Sequence, residues 1–223
     1  MRHGEVGYIV NGQPVPPDQA ILTDEGRIQC QAAAQVLADA PFDRVLATNL
    51  LRTQQTAQIV LGSRNLPLEI YEGLREIRSG SLLHYPPEQR RSLFVGSLTH
   101  HLAPDTPFLG GETFATFRAR VLPTFQALLA EPNWRTLLIV GHSVTNRVIL
   151  GEILGAGLEN AAHMEQDAGC INIIDLDNRG YGIVRLLNFT PYNPAKLGMA
   201  WTTMERYFLE LPEAQAAQQS ERR

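Results

Sequence analysis

With 223 residues, the chain forms one domain or at most two small ones and can bury most of its apolar surface. A 44% hydrophobic and 19% charged composition excludes a disordered or collagen-like chain. A net charge of −4 excludes the broad basic footprint that nucleic acid or an anionic membrane surface would require. No apolar run approaches the ~18 residues of a bilayer span, and the opening Met1-Arg2-His3-Gly4-Glu5 lacks a basic-then-apolar signal segment. Two cysteines, Cys30 and Cys170, cannot build a disulfide framework, so a reduced, cytoplasmic protein is expected. Lys196 is the only lysine among 19 basic residues. The others are arginines, whose planar fork suits phosphate and carboxylate.

In chain order, Leu22-Thr23-Asp24-Glu25-Gly26 leads into a predicted helix through Ala38, with Thr23 and Asp24 as candidate caps. Asp43 to Thr48 reads as a short strand, and Asn49 as the cap of a helix through Val60. Leu68-Glu69-Ile70 is a further short strand. The stretch from Leu82 to Gly111 lacks clean periodicity and holds Pro86, Pro87, Pro104 and Pro107, so it reads as an inserted lid. From Glu112 to Leu129, Phe114, Phe117, Val121, Phe125 and Leu128 follow helical spacing. Thr136 to Val140 is the clearest buried strand, and a helix follows from Ser143 to about Leu154. Cys170 to Leu176 and Tyr181 to Asn188 flank Asp177-Asn178-Arg179-Gly180, a hairpin turn signal. Trp201, Met204, Phe208 and Leu211 lie at helical spacing, read as core packing with a homodimer contact as the alternative.

The alternation of strands and helices predicts an α/β protein. The expected form is a three-layer α/β/α sandwich around a mostly parallel sheet with one antiparallel edge strand. Residues 1–211 form a single domain, 82–111 its lid-like insertion, and 212–223 a polar C-terminal tail.

Several chemistries lack their motif. No Gly-Lys-Ser/Thr pair forms a phosphate-binding loop, and Gly155-Ala156-Gly157 is not completed by a third glycine, since Asn160 stands there. The six histidines lack zinc-enzyme spacing, so no metal and no cofactor is expected. Gly141-His142-Ser143-Val144-Thr145 comes close to the nucleophile elbow of serine hydrolases, but its closing glycine is Thr145. His163 is the only later histidine, preceded only by Glu152 and Glu159 on or near the following helix. A serine-hydrolase reading is therefore poor.

Arg2-His3-Gly4-Glu5 supports a different chemistry. An imidazole beside arginine can attack phosphorus through one ring nitrogen while the other donates to a carbonyl and fixes the tautomer. Alone the tripeptide is a weak signal, and a frayed terminal histidine is the plain alternative. Three companions strengthen it. Arg52 falls in the first turn of a helix after a strand. His142 ends a strand beside a helix N-terminus, where anions bind. Leu74-Arg75-Glu76 offers a carboxylate after another strand. The plain readings are a surface cation, a core histidine and a carboxylate paired with Arg75 or Arg78.

With these residues in this order, the chain resembles the histidine phosphatase superfamily, the phosphoglycerate mutase-like proteins. The resemblance runs from Arg2 to at least Arg147. It rests on Arg2-His3-Gly4-Glu5, Leu22-Thr23-Asp24-Glu25-Gly26-Arg27, Arg52 to Ala57, Leu74-Arg75-Glu76, Gly110-Gly111-Glu112-Thr113, and Gly141-His142-Ser143 through Asn146-Arg147. It implies that His3 is the phosphorylated nucleophile, that Arg2, Arg52 and His142 hold the phosphoryl oxygens, and that Glu76 is the proton donor. Ser143 and Asn11 join Arg2, Arg52 and His142 as candidate substrate-binding residues.

The departures sharpen the expectation. Members of the family usually carry a strand immediately before Arg-His-Gly, and none precedes Arg2 here, so the first central strand is expected to be missing and the natural start to lie upstream. Ile9 stands where many members place an asparagine, and Ser81-Leu82-Leu83 stands where Trp-Glu-Gly is common. Ser143-Val144-Thr145 replaces the usual glycines after the second histidine. The functional expectation is a metal-independent phosphomonoester hydrolase acting on a small phosphorylated metabolite through phosphohistidine. The alternatives are a mutase-type phosphotransferase and a non-catalytic phosphate-binding member.

Overall fold

The computed structural model describes residues 1–10, 13–98, 102–177 and 181–211. Three strands, β3 (Arg44–Ala47), β4 (Leu68–Ile70) and β5 (Leu137–Val140), form a parallel sheet in the order β4-β3-β5. Two longer strands, β6 (Ile171–Leu176) and β7 (Gly182–Phe189), pair antiparallel, as the flanks of the hairpin signal predicted; its turn, residues 178–180, lies outside the described residues. A small antiparallel pair, β1 (Ile9–Val10) and β2 (Gln13–Pro14), lies near the start.

Residues 1–3 join the parallel and antiparallel sheets. Met1 N donates to Ile139 O (2.6 Å), Gly141 N to Met1 O (2.9 Å) and His3 N to Gly141 O (3.1 Å). On the other side Arg2 N donates to Cys170 O (3.0 Å) and Gly169 N to His3 O (2.9 Å). Arg2 and Gly141 form a parallel bridge. No strand precedes Arg2, as expected, and that single rung takes its place between the two sheets. Five backbone hydrogen bonds hold residues 1–3, two of them made by His3 itself.

The helices cover both faces. Helix α1 (Asp24–Val36) and helix α2 (Leu51–Leu61) lie on one side, where Ala33, Ala57 and Val60 pack with Val45, Ala47, Leu138 and Val140. Ile139, of opposite parity on β5, faces the other core with Phe117 and Val121 of helix α4 (Phe114–Leu129) and Val144 and Val148 of helix α5 (Ser143–Ile153). Period-two alternation in buried strands thus feeds two cores, which is why the sandwich has three layers.

Thr23 caps α1 by accepting from Gly26 N (3.0 Å). Asn49 does not cap α2: the N-cap is Leu50, and Asn49 Nδ2 instead donates to Glu72 Oε1 (3.1 Å). Gly4 is required by close approach, because a Cβ there would strike the carbonyl of Gly26 and the sulfur of Cys30.

Within the 82–111 stretch, helix α3 (Pro87–Gly96) buries none of its described side chains, while Leu98, Leu102, Phe108 and Leu109 join the core. Phe94 of α3 meets Phe208 of helix α6 (Thr203–Glu210), with ring centroids 6.3 Å apart. Helix α6 opens with a capping box between Thr202 and Glu205, and Met204 is buried. Trp201 precedes that cap and is 52% exposed, so it does not extend the apolar stripe as its spacing suggested. No helix among the described residues is long and apolar enough to cross a membrane.

Candidate active site

The carboxyl ends of the parallel strands bring the predicted residues together. His3 emerges from the first rung, Arg52 from the first turn of α2 after β3, and His142 from the end of β5 as the N-cap of α5. All three are buried, as is Arg2. Loops at these strand ends are the usual ligand sites of open α/β sheets.

His3 has a defined tautomer. Its Nδ1 lies 2.7 Å from the carbonyl of Gly4, which can only accept, so Nδ1 carries the proton and Nε2 the lone pair. Arg52 Nε donates to that Nε2 (3.2 Å) and Arg52 Nη1 to the carbonyl of Pro17 (2.6 Å). Burial, followed by the charges of Arg52 and Arg2, holds the His3 pKa well below the usual imidazole range. The ring is therefore neutral at pH 7, the form that can act as a nucleophile.

The second histidine approaches edge-on, its ring centroid 5.3 Å from that of His3. His142 Nε2 lies 2.9 Å from Thr48 Oγ1, while its Nδ1 is buried without a hydrogen-bond partner. Burial, and then the charge of Arg52, hold its pKa well below the ordinary value too. Arg2 directs Nη1 to Gln166 O (2.5 Å) and Thr203 Oγ1 (3.0 Å) and Nη2 to the Tyr207 hydroxyl (3.0 Å). Arg2 Nε is likewise buried and unpartnered. Buried polar groups are ordinarily satisfied, and leaving one unmade costs about 1–3 kcal/mol. Both such atoms belong to residues chosen from sequence for anion binding.

Glu76 is not paired with Arg75, which pairs instead with Asp18. Its carboxylate docks on the start of α5 beside His142, accepting from Val144 N (3.0 Å), Thr145 N (3.1 Å) and Thr145 Oγ1 (3.3 Å). Thr145, which weakened the nucleophile-elbow reading, thus holds a carboxylate. Ser143 lies next to His142, its hydroxyl 3.5 Å from Arg147 Nε. Asn11 lies outside the described residues.

Sequence reasoning missed Thr48, Thr203 and Tyr207. Thr203 and Tyr207 are four residues apart and share a face of α6, but the apolar stripe at Met204 and Phe208 drew the reading to the other face. Tyr8 adds its ring edge-on to Tyr207 (5.0 Å), and burial pushes its phenol up to about 12.

The site thus gathers two neutral imidazoles and two guanidiniums at the carboxyl ends of a parallel α/β sheet. The chain belongs to the histidine phosphatase superfamily (branch 1), which it matches over residues 1–189. It is 29% identical to the adenosylcobalamin/alpha-ribazole phosphatase of Escherichia coli, over 84% of this chain and 93% of that protein. The crystal structure of the alpha-ribazole phosphatase from Shigella flexneri superposes with a TM-score of 0.70 at 29% identity, covering 84% of this chain and 94% of that one. A protein of Erwinia tasmaniensis named "Probable phosphoglycerate mutase GpmB" is 26% identical over 70% of this chain and 73% of its own length. Relatives named phosphatases are consistent with a phosphoric monoester hydrolase.

Proposed function

We propose that the protein hydrolyses the phosphomonoester of a small phosphorylated metabolite through a phosphohistidine at His3. The observation that carries this reading is the His3 ring: its Nδ1–H is committed to Gly4 O, and its Nε2 faces Arg52 with His142 alongside. In the first step Nε2 forms a bond to phosphorus while the bond from phosphorus to the leaving oxygen breaks. Glu76, entering as the acid, gives its proton to that oxygen. In the second step water attacks the phosphoryl group, the N–P bond breaks, and the Glu76 carboxylate takes the water proton. Charge on the ring during the intermediate is stabilised by the Nδ1–H donated to Gly4.

The remaining groups act by position and charge. A transferring phosphoryl group spreads negative charge over its equatorial oxygens, so fixed cationic donors contribute most of the stabilisation. Arg52 turns its Nε–H from His3 to a phosphoryl oxygen, and Arg2 Nε and His142 Nδ1 offer the others. Phosphatase names among relatives that span most of the chain support the hydrolytic outcome. The weaker likeness to a mutase keeps transfer to a second hydroxyl as the competing outcome.

The test is hydrolysis of an aryl phosphate, with alpha-ribazole phosphate, phosphoglycerates and other phosphorylated metabolites in a panel. Release of orthophosphate by the wild type, a phosphoryl adduct trapped on His3 by a denaturing alkaline quench, in which the N–P bond survives, and neither in His3→Ala are expected. Hydrolysis that survives His3→Ala overturns the nucleophile, and net transfer between hydroxyls without orthophosphate release favours the mutase.

A further inference from the structure

We infer that the C-terminal helix α6 positions the phosphate-binding guanidinium of Arg2 through Thr203 and Tyr207. The inference rests on the proposed phosphoryl chemistry and extends it to a segment beyond residues 1–189, the part matched to the family.

Three of the Arg2 hydrogen bonds go to fixed acceptors, and two of those three come from one face of α6: Thr203 Oγ1 at 3.0 Å and the Tyr207 hydroxyl at 3.0 Å. Gln166 O supplies the third at 2.5 Å. The guanidinium is a rigid planar fork, so pinning both terminal nitrogens sets the direction of the remaining donor, Nε. That donor is buried and unpartnered.

The α6 acceptors are themselves held. Thr203 Oγ1 in turn donates a hydrogen bond to Glu165 Oε1 (3.1 Å), which also pairs with Arg147 Nη2 (3.0 Å), and Arg147 Nε reaches Ser143 beside His142 (3.5 Å). The ring of Tyr207 rests edge-on against Tyr8, and Phe208 on the next position packs against Phe94 of α3. Helix α6 is therefore tied to the first rung, to the start of α5 and to the 82–111 stretch. Thr203 and Tyr207 do not touch the reacting atoms, so they are positioning residues, and their loss should appear in affinity for the phosphoryl group.

The experiment uses the full chain with Tyr207→Phe, Thr203→Ala and the double variant, reading kcat and KM for an aryl phosphate, inhibition by vanadate, orthophosphate binding by calorimetry, and thermal midpoint. Tyr207→Phe keeps the ring against Tyr8 and removes only the acceptor. The expected result is a five- to tenfold rise in KM and in the vanadate and orthophosphate constants, about 1.0–1.4 kcal/mol, with kcat within about twofold and a modest fall in the midpoint, since Arg2 Nη2 loses its partner. A still larger loss is expected in the double variant. If Tyr207→Phe binds orthophosphate and vanadate as tightly as wild type, or loses kcat and thermal midpoint together at constant affinity, the positioning role is overturned. Should Thr203→Ala fail to fold, Tyr207→Phe decides alone. A wild type that binds orthophosphate without turnover defeats the hydrolase reading while the affinity comparison still tests α6. A wild type that does neither defeats both.

Discussion

Arg44 and Arg52 are both buried arginines at the ends of the same strand, β3, yet they have opposite surroundings. Arg44, at the amino end, is met by carboxylates: its Nε and Nη2 reach Glu69 (2.8 and 2.6 Å) and its Nη1 reaches Glu131 (2.5 Å). Arg52, just past the carboxyl end, has an imidazole nitrogen and a carbonyl. Arg2 beside it likewise bonds a carbonyl and two hydroxyls. A buried cation with its own anions holds the fold together, whereas one surrounded only by neutral acceptors is complemented by an incoming anion. The contrast separates a structural arginine from the two proposed to bind phosphate, without recourse to motif.

The contrast can be broken most decisively at His3, the proposed nucleophile. His3→Ala should lower aryl phosphate hydrolysis by about 10³-fold or more, the scale expected when one member of a concerted set is lost. Next in size, Arg52→Ala should reduce kcat/KM by about 10²–10³, as for removal of one donor to a developing oxyanion, with no loss of thermal midpoint. Arg44→Met should do the reverse, costing about 1–2 kcal/mol of stability because Glu69 and Glu131 lose their partner while remaining partly solvated, with kcat/KM unchanged. An Arg52→Ala variant that unfolds early and keeps its activity would invert the comparison.

Glu76→Gln sharpens the acid assignment. Poor alkyl leaving groups need a proton and aryl ones need little, so kcat should fall by about 10²-fold for alkyl phosphates and by less than tenfold for p-nitrophenyl phosphate. Equal losses would count against the role.

The smallest expected effect is in the pH dependence of stability. His3 and His142 have folded pKa values depressed below 6.5, chiefly by burial. Below pH 6.5 the unfolded chain therefore binds protons that the folded chain refuses. The stability contributed by these rings is full above 6.5 and declines as pH falls. Glu69, lowered from 4.5 chiefly by its hydrogen bond from Arg44, contributes stability above 4.5 that is lost further down. Denaturant midpoints should thus fall between pH 6.5 and 5 through the histidines, and His142→Asn should flatten that part of the curve while leaving the loss below 4.5 in place. An unchanged slope between 6.5 and 5 in that variant would remove His142 from the account.

Much of this was legible from local patterns. The cap of α1 by Thr23, the helical spacing of Phe114 to Leu128 and the apolar run ending at Val140 each depend on neighbours a few residues away. The order Arg2-His3, Arg52, Glu76, His142 was readable because each residue falls at a strand end or helix start, and such positions converge in an open α/β sheet. Asn49 was misread because its competing partner, Glu72, is distant in sequence. The absence of a strand before Arg2 was legible, but the backbone bonds that hold residues 1–3 to Gly141, Gly169 and Cys170 were not, because all three partners are distant in sequence.

Residue types and their periodicity were enough to specify an α/β sandwich and to nominate an imidazole with cationic companions, since both follow from short-range chemistry. The tautomer of His3, the seat of Glu76 on the start of α5, the carboxylates around Arg44 and the grip of α6 on Arg2 were decided only on folding. Each is a hydrogen bond between groups far apart along the chain, and direction and distance between such groups exist only once the packed layers have fixed both ends.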